Sequence, residues 1–121
     1  MLFRSFGPIA VAGAGGLYAE VLRDTAVRLA PVDEAGAEAM LRSLRVAPLL
    51  SGARGRPRLD VRAAAVSLAA LSRVAAAHPE LAELEINPLL VTPAEAVALD
   101  ARFIRASTPS QERESAVHLH P

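Results

Sequence analysis

Two strand-like runs joined by a short turn constrain the fold of this 121-residue chain more than any other feature. The first run spans residues 82–91, where glutamates alternate with apolar residues, and the second spans residues 96–105. The sequence between them, Thr92-Pro93-Ala94-Glu95, is typical of a tight turn, because the fixed φ of proline suits the second position. The pattern therefore predicts an antiparallel β-hairpin.

The length of this turn determines which side chains of the hairpin meet. If the two strands pair directly across the turn, Asn87 lies opposite Asp100 and Glu85 lies opposite Arg102. Side chains alternate faces along a strand, so Glu85 and Asn87 share one face. Directly opposed residues have their Cβ atoms roughly 5 Å apart, and clustered oxygen ligands are what a hard cation such as Mg²⁺ prefers. A solvated polar face, on which Glu85 and Arg102 merely form an ion pair, explains the same spacing, and the spacing alone favours that plainer interpretation.

Composition narrows the class of protein. The formal net charge is zero, which gives no electrostatic reason to expect a nucleic acid or an acidic membrane surface as partner. The chain has no cysteine, so disulfides and thiolate metal sites are excluded. Charged residues or prolines interrupt the long apolar runs, and Met1–Phe6 lacks the apolar core of a signal peptide, so we expect a cytoplasmic protein without a membrane span.

Helix signals occupy the middle of the chain. Asp33 and Asp60 are typical N-cap residues, and each precedes apolar residues at helical spacing. The second helix is predicted to end at about Ala77, because His78-Pro79 follows. Its predicted buried face consists of Val61, Ala64, Ala65, Leu68, Leu71 and Ala75.

The remaining segments give weaker signals. Residues 9–12 predict a short strand and residues 13–16 a glycine-rich turn, whereas residues 17–30 fit a helix or a strand alike. Residues 48–57 predict a loop. From residue 107 onward the composition is typical of a disordered tail. Together with the hairpin, these elements predict an α+β fold.

Four segments resemble a known family, in the same order along the chain. They are FGPIAVAGAGG at 6–16, YAEVLRDTAVRLAP at 18–31, LLSGARG at 49–55, and EINPL at 85–89 together with LDA at 99–101. Each resembles a motif near the end of the ATP-grasp domain in NDP-forming acyl-CoA synthetases, which include the ADP-forming acetate–CoA ligases and, more distantly, the succinyl-CoA synthetase β chain. The resemblance implies that residues 5–105 form the C-terminal half of an ATP-grasp domain, with residues 106–121 as a tail. It also implies a mostly antiparallel sheet packed against two helices, with a long strand at 17–30.

The resemblance further implies a role in phosphoryl transfer. In the family, ATP and Mg²⁺ lie between two ATP-grasp subdomains, and a phosphohistidine on another domain carries the phosphoryl group. By their match to family positions, Asn87 and Asp100 would bind Mg²⁺, and Glu85 would lie near the phosphohistidine. Glu20 and Arg54 would contact the cofactor, either ATP/ADP or coenzyme A. The family reaction interconverts acyl-CoA, ADP and phosphate with the acid, coenzyme A and ATP.

Plainer interpretations stay open for the less specific positions. Glu20 and Asp24 fit a salt bridge to a neighbouring arginine and a position near the nucleotide equally well. A solvated loop explains the arginines at 54, 56 and 58 as well as contact with phosphate does.

The absence of lysine limits what the chain is expected to do alone. All 13 basic residues counted as Lys or Arg are arginines, whereas the family places a lysine and its adenine contacts in the N-terminal half of the domain. We therefore expect a fragment, a truncated product or one part of a split assembly. It would need the N-terminal ATP-grasp half and the CoA-binding and ligase domains, on the same or another chain, and would be inactive without them.

Two other functions remain as alternatives. Related modules are fused to protein lysine acetyltransferases, where the ligase-like part would regulate rather than ligate. A non-catalytic interaction domain, with Glu85, Asn87 and Asp100 as relics, is the third interpretation.

Overall fold

The computed structural model describes residues 7–15 and 24–106, and these form an α+β fold, as predicted. The elements in chain order are β1 (Ile9–Gly13), β2 (Thr25–Leu29), α1 (Glu34–Arg42), α2 (Ala47–Leu50), a 3₁₀ turn (Ala53–Gly55), α3 (Val61–Ala77), β3 (Leu81–Ile86), β4 (Leu89–Val91), β5 (Ala96–Ala98) and β6 (Ala101–Arg105). Of the long strand predicted at 17–30, only Thr25–Leu29 is seen as a strand, β2. Residues 16–23 and the predicted tail from 107 lie outside the described residues.

The described strands form three antiparallel pairs, β1–β2, β3–β6 and β4–β5. In the first pair, Ile9 lies opposite Leu29 and Gly13 opposite Thr25. One face of this pair buries Ala10 and Ala12 against the helices. All pairing is therefore antiparallel, as the resemblance implied, but it is divided among three small sheets beside three helices rather than forming one sheet on two helices.

Small side chains let α1, α3 and the β1–β2 pair approach closely. The core consists of Ala10, Ala12, Val32, Ala37, Met40, Ala65 and Ala69. Met40 is the largest fully buried side chain among the described residues. Ser72 is also buried, and its hydroxyl accepts a hydrogen bond from the backbone N–H of Val32 at 3.0 Å. This bond ties α3 to the segment that leads into α1.

Both predicted N-caps are confirmed. The Asp33 carboxylate accepts from the N–H of Gly36 at 2.7 Å, and the Asp60 carboxylate accepts from the N–H of Ala63 at 3.0 Å. Each bond satisfies one of the donors that the first turn of a helix leaves open. His78 ends α3 as predicted.

The buried face of α3 was predicted only in part. Val61, Ala64 and Ala65 are buried, whereas Leu68, Leu71 and Ala75 are only partly buried. The prediction omitted Ala69 and Ser72, which are buried against the core. Close helix packing favours these small residues over the leucines, which is why hydrophobicity alone misplaced the face.

The segment predicted as a loop at 48–57 contains two short helical pieces. Ala47–Leu50 form α2, and Ala53–Gly55 form a 3₁₀ turn. Pro48 lies in the first turn of α2, where its missing N–H leaves no helical hydrogen bond unmade.

Asp24 has a structural role that the sequence did not reveal. Its side chain is buried, and its two oxygens accept from the N–H groups of Arg45 and Val46 at 2.7 and 3.0 Å. These two bonds account for its burial, whereas Arg23, one of the predicted salt-bridge partners, lies outside the described residues. The carboxylate fixes the entrance to α2 beside β2.

No helix within the described ranges is long and apolar enough to cross a membrane.

Candidate functional site

The register predicted for the hairpin is confirmed. Glu85 pairs with Arg102 in β3–β6, and Val91 pairs with Ala96 in β4–β5. Between these two ladders, the N–H of Asn87 donates to the carbonyl of Asp100 at 3.0 Å. Asn87 and Asp100 therefore lie opposite each other in a short break between the two ladders, where the predicted strands at 82–91 and 96–105 are each interrupted.

The turn that sets this register is built as its sequence predicts. The N–H of Thr92 donates to the carbonyl of Glu95 at 2.8 Å. The Thr92 hydroxyl accepts from the N–H groups of Ala94 and Glu95 at 3.2 and 3.0 Å. A residue inserted here would shift the register and move Asn87 away from Asp100.

The polar face of the hairpin forms an open depression of about 270 Å³, lined by Glu85, Asn87, Asp100, Ala101 and Arg102. Three of the five predicted site residues thus share one surface. Of the other two, Glu20 lies outside the described residues, and Arg54 does not line the depression.

Glu85 is held in place from two sides. The Arg102 Nε donates to Glu85 Oε2 at 2.6 Å, so the predicted ion pair is confirmed. The Asn87 side-chain amide donates to Glu85 Oε1 at 3.4 Å. The guanidinium of Arg102 also approaches Glu83 at 3.7 Å. These contacts fix the direction of the Glu85 carboxylate at the edge of the depression.

The hydrogen bonds of Asn87 and Asp100 leave oxygen atoms available to a cation. Because the amide nitrogen of Asn87 donates to Glu85, its Oδ1 is left without that partner. Asp100 Oδ1 accepts from the N–H of Ala101 at 2.9 Å, which leaves Oδ2 for a ligand. The sequence did not reveal these orienting bonds, although the alternation of residues 83, 85 and 87 signalled a shared face.

This donor set fits Mg²⁺ only as a half-site. Within the ranges the structure describes, no group of three or more His, Cys, Asp or Glu side chains could hold a metal ion. Mg²⁺ commonly binds proteins through one or two carboxylates and takes its other ligands from water and substrate phosphates. The carboxylate of Asp100 and the amide oxygen of Asn87 would be a ligand set of this kind.

The carboxyl of Glu80, which does not line the depression, has a lowered pKa. Its own backbone N–H and the His78 ring, 2.7 Å from Glu80 Oε1, lower the pKa of this carboxyl. The pair is exposed near the end of α3. Neither His78 nor Glu80 lines the depression, so this surface contact is separate from it.

The ATP-grasp domain model matches residues 3–104. The chain belongs to the ATP-grasp family. It corresponds to part of the ATP-grasp domain of the ADP-forming acetyl-CoA synthetases, so the resemblance seen in its motifs is confirmed.

Two relatives by sequence illustrate the match. The chain is 36% identical over 99 residues to the beta subunit of the ADP-forming acetate–CoA ligase I of Pyrococcus furiosus, covering 82% of this chain and 43% of that subunit. It is 42% identical over 101 residues to a trans-feruloyl-CoA synthase from an unknown prokaryotic organism, covering 82% of this chain and 14% of that protein.

A solved structure shows the same ATP-grasp fold. An acetyl-coenzyme A synthetase of Ca. Korarchaeum cryptofilum superposes with a TM-score of 0.79 at 35% identity, covering 84% of this chain and 47% of that one. That protein was solved with coenzyme A and Mg-AMPPCP, with its phosphohistidine segment pointing towards the nucleotide-binding site. The chain thus spans less than half the length of each of these relatives.

Proposed function

We propose that this chain supplies the Mg²⁺–nucleotide half-site of an NDP-forming acyl-CoA synthetase, for phosphoryl transfer between ATP or ADP and a phosphohistidine. The observation that carries the proposal is the hairpin register, which sets Asn87 opposite Asp100 in one depression beside Glu85. The Korarchaeum relative supports it, because that enzyme binds a magnesium nucleotide and directs a phosphohistidine segment towards it.

Asn87 Oδ1 and Asp100 Oδ2 are the atoms that would hold the cation. When bound, Mg²⁺ neutralises charge on the terminal phosphates and helps to align them. The protein's part is positioning: the Ala101 N–H fixes the Asp100 carboxylate, and Glu85 fixes the Asn87 amide. Both ligands therefore face the depression before any nucleotide arrives, which lowers the entropy lost on binding.

Glu85 would act on the histidine rather than on the metal. Arg102 occupies one of its carboxylate oxygens and fixes the plane of the group. A lone pair on Oε1 can then accept an imidazole N–H, which selects the tautomer whose other nitrogen faces the phosphoryl group. This chain thus orients the acceptor as well as the metal.

The proposal also requires groups that lie outside these 121 residues. The lysine, the adenine contacts and the CoA-binding and ligase domains would come from an N-terminal ATP-grasp half and further domains, on the same or another chain. The acyl group stays open, because the relatives by sequence include both an acetate–CoA ligase and a feruloyl-CoA synthase.

Glu85→Gln tests whether Glu85 acts on the histidine rather than on the metal. The test uses the Pyrococcus furiosus ligase with its matching 99 residues replaced by this chain. We expect histidine phosphorylation by ATP to slow about 10- to 100-fold, the usual cost of losing a carboxylate that orients a histidine. Nucleotide affinity should stay within about twofold, because Glu85 is not itself a metal ligand and the substituted side chain keeps an oxygen that can accept from the Asn87 amide.

Glu83→Gln is the matched control, since Glu83 lies on the same strand and also approaches Arg102. It should change neither the rate nor the affinity. The assigned role for Glu85 is wrong if Glu85→Gln weakens nucleotide affinity as much as it slows phosphorylation, or if the two variants behave alike.

A further inference from the structure

An apolar groove of about 410 Å³, called the α3 groove below, lies beside the carboxyl end of α3. Its apolar lining consists of Val74 on α3, Leu81 and Leu84 on β3, and Phe103 on β6. Leu84 pairs with Phe103, and the next pair along the ladder is Glu85 with Arg102. Because side chains alternate faces along a strand, the α3 groove lies on the opposite face of the sheet from the depression.

The walls of the α3 groove leave large apolar side chains in contact with solvent. Phe103 is 64% exposed, the largest exposed fraction among the large apolar side chains of the described residues, and Val74 is 43% exposed. A single exposed apolar residue is ordinary, but several that line one groove are typical of a surface that binds another apolar group. Among the described residues, none covers Phe103.

The rim of the α3 groove carries a positive charge that has no carboxylate partner in the described part of the chain. Arg105, His78 and Glu80 lie at this rim. The His78 ring already contacts Glu80 at 2.7 Å, and no described carboxylate lies within ion-pair distance of Arg105. An occupant that places a carboxylate beside Arg105 would gain a charge-assisted contact. The groove therefore favours an apolar segment with an acidic residue nearby.

The chain passes this rim where its described residues end. The N–H of Ala106 donates to the carbonyl of Glu80 at 2.6 Å, which holds the end of β6 beside the groove. Ala116 follows Ala106 by ten residues, and ten residues span up to about 33 Å when extended. The α3 groove therefore lies within reach of residues 116–119 of the same chain.

The sequence of residues 107–121 matches the chemistry of the groove. Val117 and Leu119 are the only large apolar residues in this stretch. Their spacing of two would bring both side chains to one surface in an extended segment. Glu114 precedes Val117 by three residues, so it supplies a carboxylate of the kind that the rim at Arg105 favours.

We propose that residues 116–119 dock into the α3 groove of their own chain, with Leu119 against Phe103 and Glu114 beside Arg105. The contact is intramolecular, and a short tether gives an effective concentration in the millimolar range, so a groove of modest affinity is filled. Docking covers Phe103 and supports β6, the strand that carries Arg102, from the face opposite the depression.

This contact is separate from the function proposed above. The ATP-grasp domain model ends at residue 104, so the docking segment lies outside the part of the chain that matches the family. No residue of the α3 groove lines the depression. The proposal therefore holds or fails independently of the Mg²⁺ half-site.

The test places a nitroxide spin label at residue 120 of the ¹⁵N-labelled 121-residue chain. Because the sequence has no cysteine, His120→Cys provides a single attachment site. We expect the label to broaden the NMR amide signals of Leu84 and Phe103 selectively. The amides of Val11 and Val27, which are exposed apolar residues of the β1–β2 pair, should keep their intensity.

Leu119→Ser distinguishes docking from tethering alone, because a label on an undocked segment still passes near the end of β6. Loss of the leucine should lower the equilibrium constant for docking about tenfold or more and remove the broadening at Phe103. Arg105→Gln should weaken docking about two- to fivefold. Gln111→Ser, which changes the same stretch but keeps its apolar residues, is the control and should leave the broadening unchanged.

A mixed sample tests a second copy of the chain as the occupant of the groove. Spin-labelled chain without ¹⁵N is added to ¹⁵N-labelled chain without a spin label. Broadening at Phe103 in this mixture would show that the groove binds another copy, and it would overturn the proposal. Broadening that persists in Leu119→Ser, or no selective broadening at the groove in the singly labelled chain, would overturn it as well.

Discussion

Asn87→Ala or Asp100→Asn should reduce ATP-dependent acyl-CoA formation by about 10²- to 10³-fold in the Pyrococcus furiosus ligase that carries this chain, because each removes one of the two protein ligands proposed for Mg²⁺. Asp100→Asn is the more conservative change, because its side-chain oxygen can still accept from the Ala101 N–H. The measurement is kcat/KM for the nucleotide at saturating Mg²⁺.

Both side chains are exposed, so the loss should not come from unfolding. We expect each variant to change the free energy of unfolding by less than about 0.5 kcal/mol. Glu95→Gln, an exposed change in the turn of the same hairpin, is the control and should keep full activity. If the two residues act as one site, the double variant should be little worse than either single one. Activity above about a third of the unmodified level in either single variant would contradict the metal assignment.

Asp24→Ala is expected to destabilise the fold strongly. It leaves the N–H groups of Arg45 and Val46 without their acceptor in a partly buried site. Each buried donor left unsatisfied costs about 1–3 kcal/mol, so losing the acceptor of both should lower the free energy of unfolding by about 2–6 kcal/mol. That is a large share of the stability of a small domain. Urea denaturation followed by circular dichroism measures it.

Two further variants separate this explanation from a general effect of charge. Asp24→Asn keeps one acceptor oxygen and should be roughly half as damaging. Glu34→Ala removes an exposed carboxylate from the first turn of α1 and should cost well under about 1 kcal/mol. A loss below about 1 kcal/mol in Asp24→Ala would show that the two backbone donors find other partners.

The features predicted correctly depend on local rules. The register of the hairpin follows from a four-residue turn and a side-chain period of two, so Asn87 and Asp100 could be placed opposite each other from sequence. The caps at Asp33 and Asp60 likewise depend on bonds to residues only three positions away. Local rules of this kind need no knowledge of the tertiary structure.

The features missed depend on contacts between distant parts of the chain. Asp24 binds backbone groups 21 and 22 residues away, and nothing in its neighbouring sequence indicates this. Ser72 bonds to Val32 across 40 residues, which is why its burial on α3 was not predicted. The hydrogen bonds that orient Asn87 and Asp100 were missed for the same reason, because they form only when the two halves of the hairpin are paired. The role of Glu20 stays a prediction.

A paramagnetic titration of this chain tests the central proposal most directly. Mn²⁺ replaces Mg²⁺ readily at oxygen ligands and broadens nearby NMR signals. Mn²⁺ with ADP should selectively broaden the amides at 83–89 and 98–102, excess Mg²⁺ should reverse the effect, and Asp100→Asn should abolish it. Uniform broadening, or broadening that is strongest elsewhere and survives in Asp100→Asn, would contradict a metal half-site between Asn87 and Asp100.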